Sequence, residues 1–86
     1  LYRRGLKIAK DEVHWIREDL KMKDGQVRSY NVRIRYRQPL QKAKLYQMKD
    51  YMYFVFEEHQ RGISAGQFTV WYDDSGEMVG SGVIGL

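Results

Sequence analysis

The 86-residue chain has no cysteine. That excludes a disulfide framework, a thiolate metal site and a cysteine nucleophile within these residues, and it fits a reducing compartment. Proline occurs once, at Pro39, so backbone N–H groups are available for pairing almost throughout. No apolar run approaches the roughly 18 residues of a membrane span, and no basic-then-apolar signal segment opens the sequence. A Gly-rich loop ending in Lys-Ser/Thr is also missing, which removes the commonest phosphate cradle. No segment offers a convincing long helix.

What is present describes a folded domain. Hydrophobic residues make up 43% and charged residues 30%, too apolar a balance for disorder. Two independent cores need roughly 50 residues each at the least, so residues 1–86 are expected to form one domain. The chain begins at Leu1 rather than Met, so it is expected to be a piece of a longer protein.

Charge is unevenly placed. The net charge is +4, but residues 1–44 carry 13 of the 15 Lys and Arg against 5 of the 11 Asp and Glu. The remainder is net acidic. Such a dipolar domain presents one face that attracts polyanions; the plainer alternative is a solvated basic surface that keeps the protein soluble.

Hydrophobic periodicity points to strands. Asp11–Leu20 places Val13, Ile16 and Leu20 at helical spacing, but Glu12–Ile16 also reads as a short strand with Val13 and Trp15 on one face. From Tyr30 to Arg37 the alternation is strict: Tyr30, Val32, Ile34 and Tyr36 face one way, and Asn31, Arg33, Arg35 and Arg37 the other. Pro39 marks an edge, a bulge or a corner. Leu40–Met48 makes a second strand, Lys49-Asp50 a turn, and Tyr51–Phe56 an apolar strand covered at least partly on both faces. Glu57–Gln67 reads as a polar loop. Phe68–Tyr72 alternates, Asp73–Gly76 is a hairpin turn, and Glu77–Ile84 is the return strand. Five or six strands with frequent turns predict an all-β fold, a small closed or nearly closed antiparallel β-barrel, with a split sandwich as the competing architecture.

Most chemical motifs dissolve on inspection. Gly80-Ser81-Gly82-Val83-Ile84-Gly85 has dinucleotide-binding spacing, but the required helix does not follow; glycines in a strand that allow close backbone approach explain it better. His14 and His59 stand outside any metal-ligand spacing, and Glu57-Glu58-His59 reads as a surface cluster. Asp73, Asp74 and Glu77 lack the spacing of a calcium loop and fit turn capping. Ser64 and Ser75 have no partnered histidine. No catalytic, metal or cofactor residue is assigned.

The positive signal is the arginine row. On a strand, Arg33, Arg35 and Arg37 would stand about 6.5–7 Å apart, close to the step of successive RNA phosphates. Each guanidinium can hold a phosphate with two parallel hydrogen bonds. Lys42 and Lys44 share a face of the next strand and would widen the row. The alternative is a charged strand face that discourages edge pairing.

Three stretches carry a family resemblance. Val32-Arg33-Ile34-Arg35-Tyr36-Arg37-Gln38, Gly66-Gln67-Phe68-Thr69-Val70-Trp71-Tyr72 and Val79-Gly80-Ser81-Gly82-Val83-Ile84 resemble, in order, motifs of the C-terminal domain of the tRNA-specific 2-thiouridylase family. Val13-His14-Trp15-Ile16 resembles an element preceding its barrel. Ala65, His59 and Ser81 depart from the family pattern without removing a charged group. The family's older label is tRNA (5-methylaminomethyl-2-thiouridylate)-methyltransferase.

The resemblance implies a barrel like those of translation elongation factors, at the C-terminal end of a cytoplasmic, ATP-dependent enzyme that puts sulfur on the wobble uridine of tRNA. It places ATP and the catalytic cysteines in the parent's N-terminal domain and nearby, outside this chain. The expected partners are the tRNA anticodon arm and the parent's catalytic and central domains, in a monomer. Expected tRNA contacts are Arg33, Arg35, Arg37, Gln38, Lys42 and Lys44. The alternative role is structural, a domain packed against the rest of the enzyme without touching RNA.

Overall fold

A computed structural model describes residues 2–85. Seven strands follow in chain order: β1 (Tyr2–Ala9), β2 (Val13–Trp15), β3 (Val27–Arg33), β4 (Gln41–Gln47), β5 (Tyr51–Arg61), β6 (Phe68–Tyr72) and β7 (Met78–Val83). All pair antiparallel in one sheet ordered β1-β5-β4-β3-β6-β7-β2. The sheet coils into a half-barrel around a single apolar interior.

Period-two patterning decides which side faces in. Leu6 and Ile8, Tyr30 and Val32, Ala43 and Leu45, Met52, Phe54 and Phe56, Trp71, and Val79 are buried on the concave side. Trp71 sits at the centre, edge-on to Phe54 at 5.2 Å and to Trp15 at 5.7 Å between ring centroids. Thr69, also buried, donates its hydroxyl to the Arg33 carbonyl at 3.1 Å.

Several expectations need correction. The sheet has seven strands rather than five or six, and among the described residues no ladder joins β1 to β2. The extra strand is β1; the three-residue β2 lies within the short strand Glu12–Ile16 that the sequence offers, and one 3₁₀ turn at Lys10–Glu12 joins the two. Instead of a continuous ring of ladders, the Gly85 N–H reaches the Lys7 carbonyl at 2.8 Å, tying the end of the chain to β1. Asp11–Leu20 is not a helix: 3₁₀ turns at Lys10–Glu12 and Glu18–Leu20 flank the strand Val13–Trp15.

The polar stretch Glu57–Arg61 is strand rather than loop. Its backbone continues β5 and pairs Gln60 with Arg3 and Arg61 with Tyr2. The register skips where residues 56–59 of β5 stand opposite Arg4 alone; there the Arg4 guanidinium donates to the Phe56 and Glu57 carbonyls at 3.2 and 3.0 Å, replacing the missing ladder bonds. The outer face of β5 is also less covered than its composition implies, with Tyr53 and Val55 exposed.

The turns follow local chemistry. At Asp73–Gly76 the Asp73 carboxylate accepts from the Ser75 hydroxyl at 2.6 Å and from the Ser75 and Glu77 N–H groups, each at 2.9 Å. Gly76 takes φ 88°, a conformation that suits glycine. These bonds hold the Asp73 carboxyl below its ordinary titration range, the Ser75 hydroxyl contributing most.

Candidate nucleic-acid interface

The expected six residues fall on one corner of the sheet, in a different arrangement from a straight row. β3 ends at Arg33. Ladder pairing with β4 stops at Val32–Gln41 while Arg33 still pairs with Val70 of β6, so residues 34–40 form the connection that leaves the sheet. Gln38 creates it: its N–H bonds the Arg35 carbonyl at 3.2 Å, while its side-chain oxygen accepts the Ile34 N–H at 3.1 Å. Pro39 then has no N–H with which to extend pairing. Ile34 stays buried, but Tyr36, expected on the apolar face, is 88% exposed.

Each predicted residue therefore has its own setting. Arg33 is half-buried on the convex face of β3; its guanidinium lies 5.6 Å from the Tyr72 ring centroid, and its Nε is buried without a partner. Arg35 and Arg37 are exposed on the 34–38 turn, where an Arg35 Nη2–H donates to the Arg61 carbonyl. Lys42 and Lys44 are exposed on β4, opposite Asn31 and Ser29 of β3. Gln38 is committed to the fold: besides accepting from Ile34, its amide donates to the buried Gln60 side chain at 2.8 Å.

Among the described residues no ion pair holds the cations of this corner, while Glu57, Glu58 and Asp74 line shallow clefts beside Lys42. Among the described residues, side-chain ion pairs join Lys10 to Asp24 and Arg17 to Asp19 and Glu77. None of these pairs involves Arg33, Arg35, Arg37, Lys42 or Lys44. Exposed guanidinium and ammonium groups without a carboxylate partner are free to bind phosphate oxygens.

Beside this turn runs a groove of about 400 Å³, lined by Arg33, Ile34, Arg35, Tyr36, Gln67, Phe68, Val70 and Tyr72. Phe68 is 64% exposed. Tyr36 is one of the tyrosines that the sequence places near enough to the arginines to stack on a base, whereas Phe68 and Tyr72 were not legible as site residues. The available signal was the pair Thr69 and Trp71: once the larger ring is assigned inward, Phe68, Val70 and Tyr72 must face out.

The glycine run has a structural setting. A Cβ on Gly80 would lie 2.5 Å from Trp71 Cζ2, so β7 passes directly beneath the indole. Most of this run lies in β7, packed against a core ring.

Comparison with known proteins follows the same direction. The family described as the aminomethyltransferase beta-barrel domain matches residues 5–84. The tRNA-specific 2-thiouridylase MnmA of Flavobacterium johnsoniae is 52% identical over 84 residues, covering 98% of this chain and 21% of that protein. The MnmA of Christiangramia forsetii is 51% identical over the same length and with the same coverage. That of Karelsulcia muelleri is 40% identical over 85 residues, again covering 98% and 21%. The chain thus spans about a fifth of the length of these relatives.

Proposed function

The chain belongs to the C-terminal β-barrel domain family of the tRNA-specific 2-thiouridylases, and on that premise we propose that it is the non-catalytic tRNA-docking domain of such an enzyme. The parent protein is a cytoplasmic, ATP-dependent sulfurtransferase acting on the wobble uridine, with ATP and the sulfur chemistry in its other domains. Among the described residues, no helix is long and apolar enough to cross a membrane.

One observation carries this reading. Arg35, Arg37, Lys42 and Lys44 are exposed on one corner, with Arg33 behind them, and none is paired with a carboxylate among the described residues. Phosphate contacts position an RNA without reading its sequence. The barrel would orient the anticodon arm, while other domains select the base. Gln38 shapes the turn that presents Arg35 and Arg37 rather than reaching the RNA itself.

The test is titration of the parent enzyme with an anticodon-arm RNA, comparing Arg35→Ala with Arg37→Ala and Lys42→Ala with Lys44→Ala as two double variants. Each pair is expected to weaken binding without changing the fold. Unchanged affinity in both would discard RNA docking.

A second reading has its own support. Tyr53 and Val55 leave an apolar strip exposed on the convex face of β5, suited to packing against the parent's catalytic or central domain. If both cation pairs prove silent while Val55→Lys loosens the domain from its enzyme, the structural role stands alone.

A further inference from the structure

The groove beside the arginine turn has a composition that phosphate docking alone does not require. Its walls come from the 33–36 segment and from Gln67–Tyr72. Two large rings stand open there: Tyr36 is 88% exposed and Phe68 64%. The half-buried Val70 and Tyr72 continue the apolar surface between them. The charged lining residues are Arg33 and Arg35, with no carboxylate in the lining. Its volume, about 400 Å³, lies within the roughly 300–1,000 Å³ range of small-ligand sites.

Hydrogen-bonding capacity is also left over. The Gln67 side-chain oxygen accepts the Ser64 N–H at 2.8 Å, which leaves its amide NH2 without a partner among the described residues. Arg33 has its buried Nε unpaired, with its guanidinium over the Tyr72 ring. The groove therefore combines flat π surfaces, an amide donor and two guanidinium groups.

That combination matches a nucleotide: a base offers a flat face for stacking, and its phosphate offers an anion for arginine. A paired base has its faces occupied inside the helix, so the occupant must be unstacked. We propose that this groove seats one unpaired nucleotide of the tRNA loop, its base stacked on Phe68 and Tyr36 and its phosphate held by Arg33 and Arg35. The proposal rests on the docking role above and deepens it, adding a single-strand seat to a phosphate-tracking corner.

The test uses the parent enzyme and two anticodon-arm RNAs with the same stem, one with an intact loop and one whose loop nucleotides are all abasic. The unmodified enzyme is expected to bind the intact loop more tightly. Phe68→Ala and Tyr36→Ala should each weaken that complex about 5- to 150-fold, the range for removing one ring from beneath a stacked base, with little effect on the abasic RNA. Phe68→Trp should retain binding. Both positions are exposed, so folding is expected to survive, and circular dichroism checks it.

If Phe68→Ala and Tyr36→Ala leave the intact loop bound as before, while Arg35→Ala with Arg37→Ala still weakens it, the seat is refuted and docking stands. If the arginine variants are silent as well, both fail. Equal losses on intact and abasic loops would overturn stacking. A destabilised enzyme with unchanged RNA affinity would mark the groove as a domain contact and overturn the proposal too.

Discussion

Gly80→Ala is a sharp test of the packing. The added Cβ would lie 2.5 Å from Cζ2, 2.7 Å from Cε2 and 2.9 Å from Nε1 of Trp71. The ring has little room to yield: it is fully buried, with Phe54 and Trp15 edge-on at centroid distances of 5.2 and 5.7 Å. Overpacking of this kind costs about 1–3 kcal/mol. Restricting the unfolded chain returns about 0.4–1 kcal/mol. The net expectation is a loss of roughly 1–2 kcal/mol, which lowers Tm by about 5–15 °C in a domain of this size. Thermal unfolding followed by near-ultraviolet circular dichroism reads it. Gly82→Ala should cost less, because its nearest neighbours, two Ile8 methyl carbons and the Glu12 carbonyl oxygen, stand off at 3.0–3.1 Å. Trp71→Phe removes the indole edge, so Gly80→Ala should cost much less in that background. A neutral or stabilising Gly80→Ala, or an equal cost in both backgrounds, would refute the close approach of β7 to Trp71.

Two further outcomes concern the turns. Because Asp73 titrates below its ordinary range in the folded state, the stabilisation from this carboxylate is fully present above the unfolded value, about pH 4. It is lost as pH falls through the lower folded value. Hydrogen-exchange protection of the Ser75 and Glu77 N–H groups should fall in that window, and Asp73→Ala should abolish the pH dependence. Gln38→Ala leaves the buried Gln60 side-chain oxygen and the Ile34 N–H without their partners, at a cost of about 1–3 kcal/mol in denaturant unfolding. Gln38→Glu keeps the acceptor for Ile34 but sets a carboxylate oxygen against the Gln60 side-chain oxygen, so it should cost at least as much; equal stability of Gln38→Ala and the unmodified chain would contradict the role given to Gln38.

Legibility in the sequence tracked how local the determinants were. β6 and the Asp73–Gly76 turn are encoded by alternation and turn residues a few positions apart, and both lie where the sequence places them. β4 differs from expectation only at its ends. The Gly80–Gly85 spacing read as close packing rather than cofactor chemistry, and Trp71 supplies the partner. What escaped was set at long range. Glu57–Arg61 has loop composition, yet β1 pairs with its backbone and Arg4 caps its carbonyls. Tyr30–Arg37 alternates perfectly, but Gln38 turns the chain after Arg33, so alternation continued past the strand that explained it. That turn also moved Tyr36 out of the core and next to Phe68, forming a groove that neither segment announces alone.

The central claim is that the cations of this corner meet phosphates, and the salt dependence of tRNA affinity in the parent enzyme tests it most directly. If about three phosphates are neutralised, log K should fall against log salt with a slope near −2 to −3. Replacing Arg35 and Arg37 together with alanine should flatten that slope by about 2, roughly one for each phosphate no longer neutralised. Parallel lines for the two proteins would contradict the account.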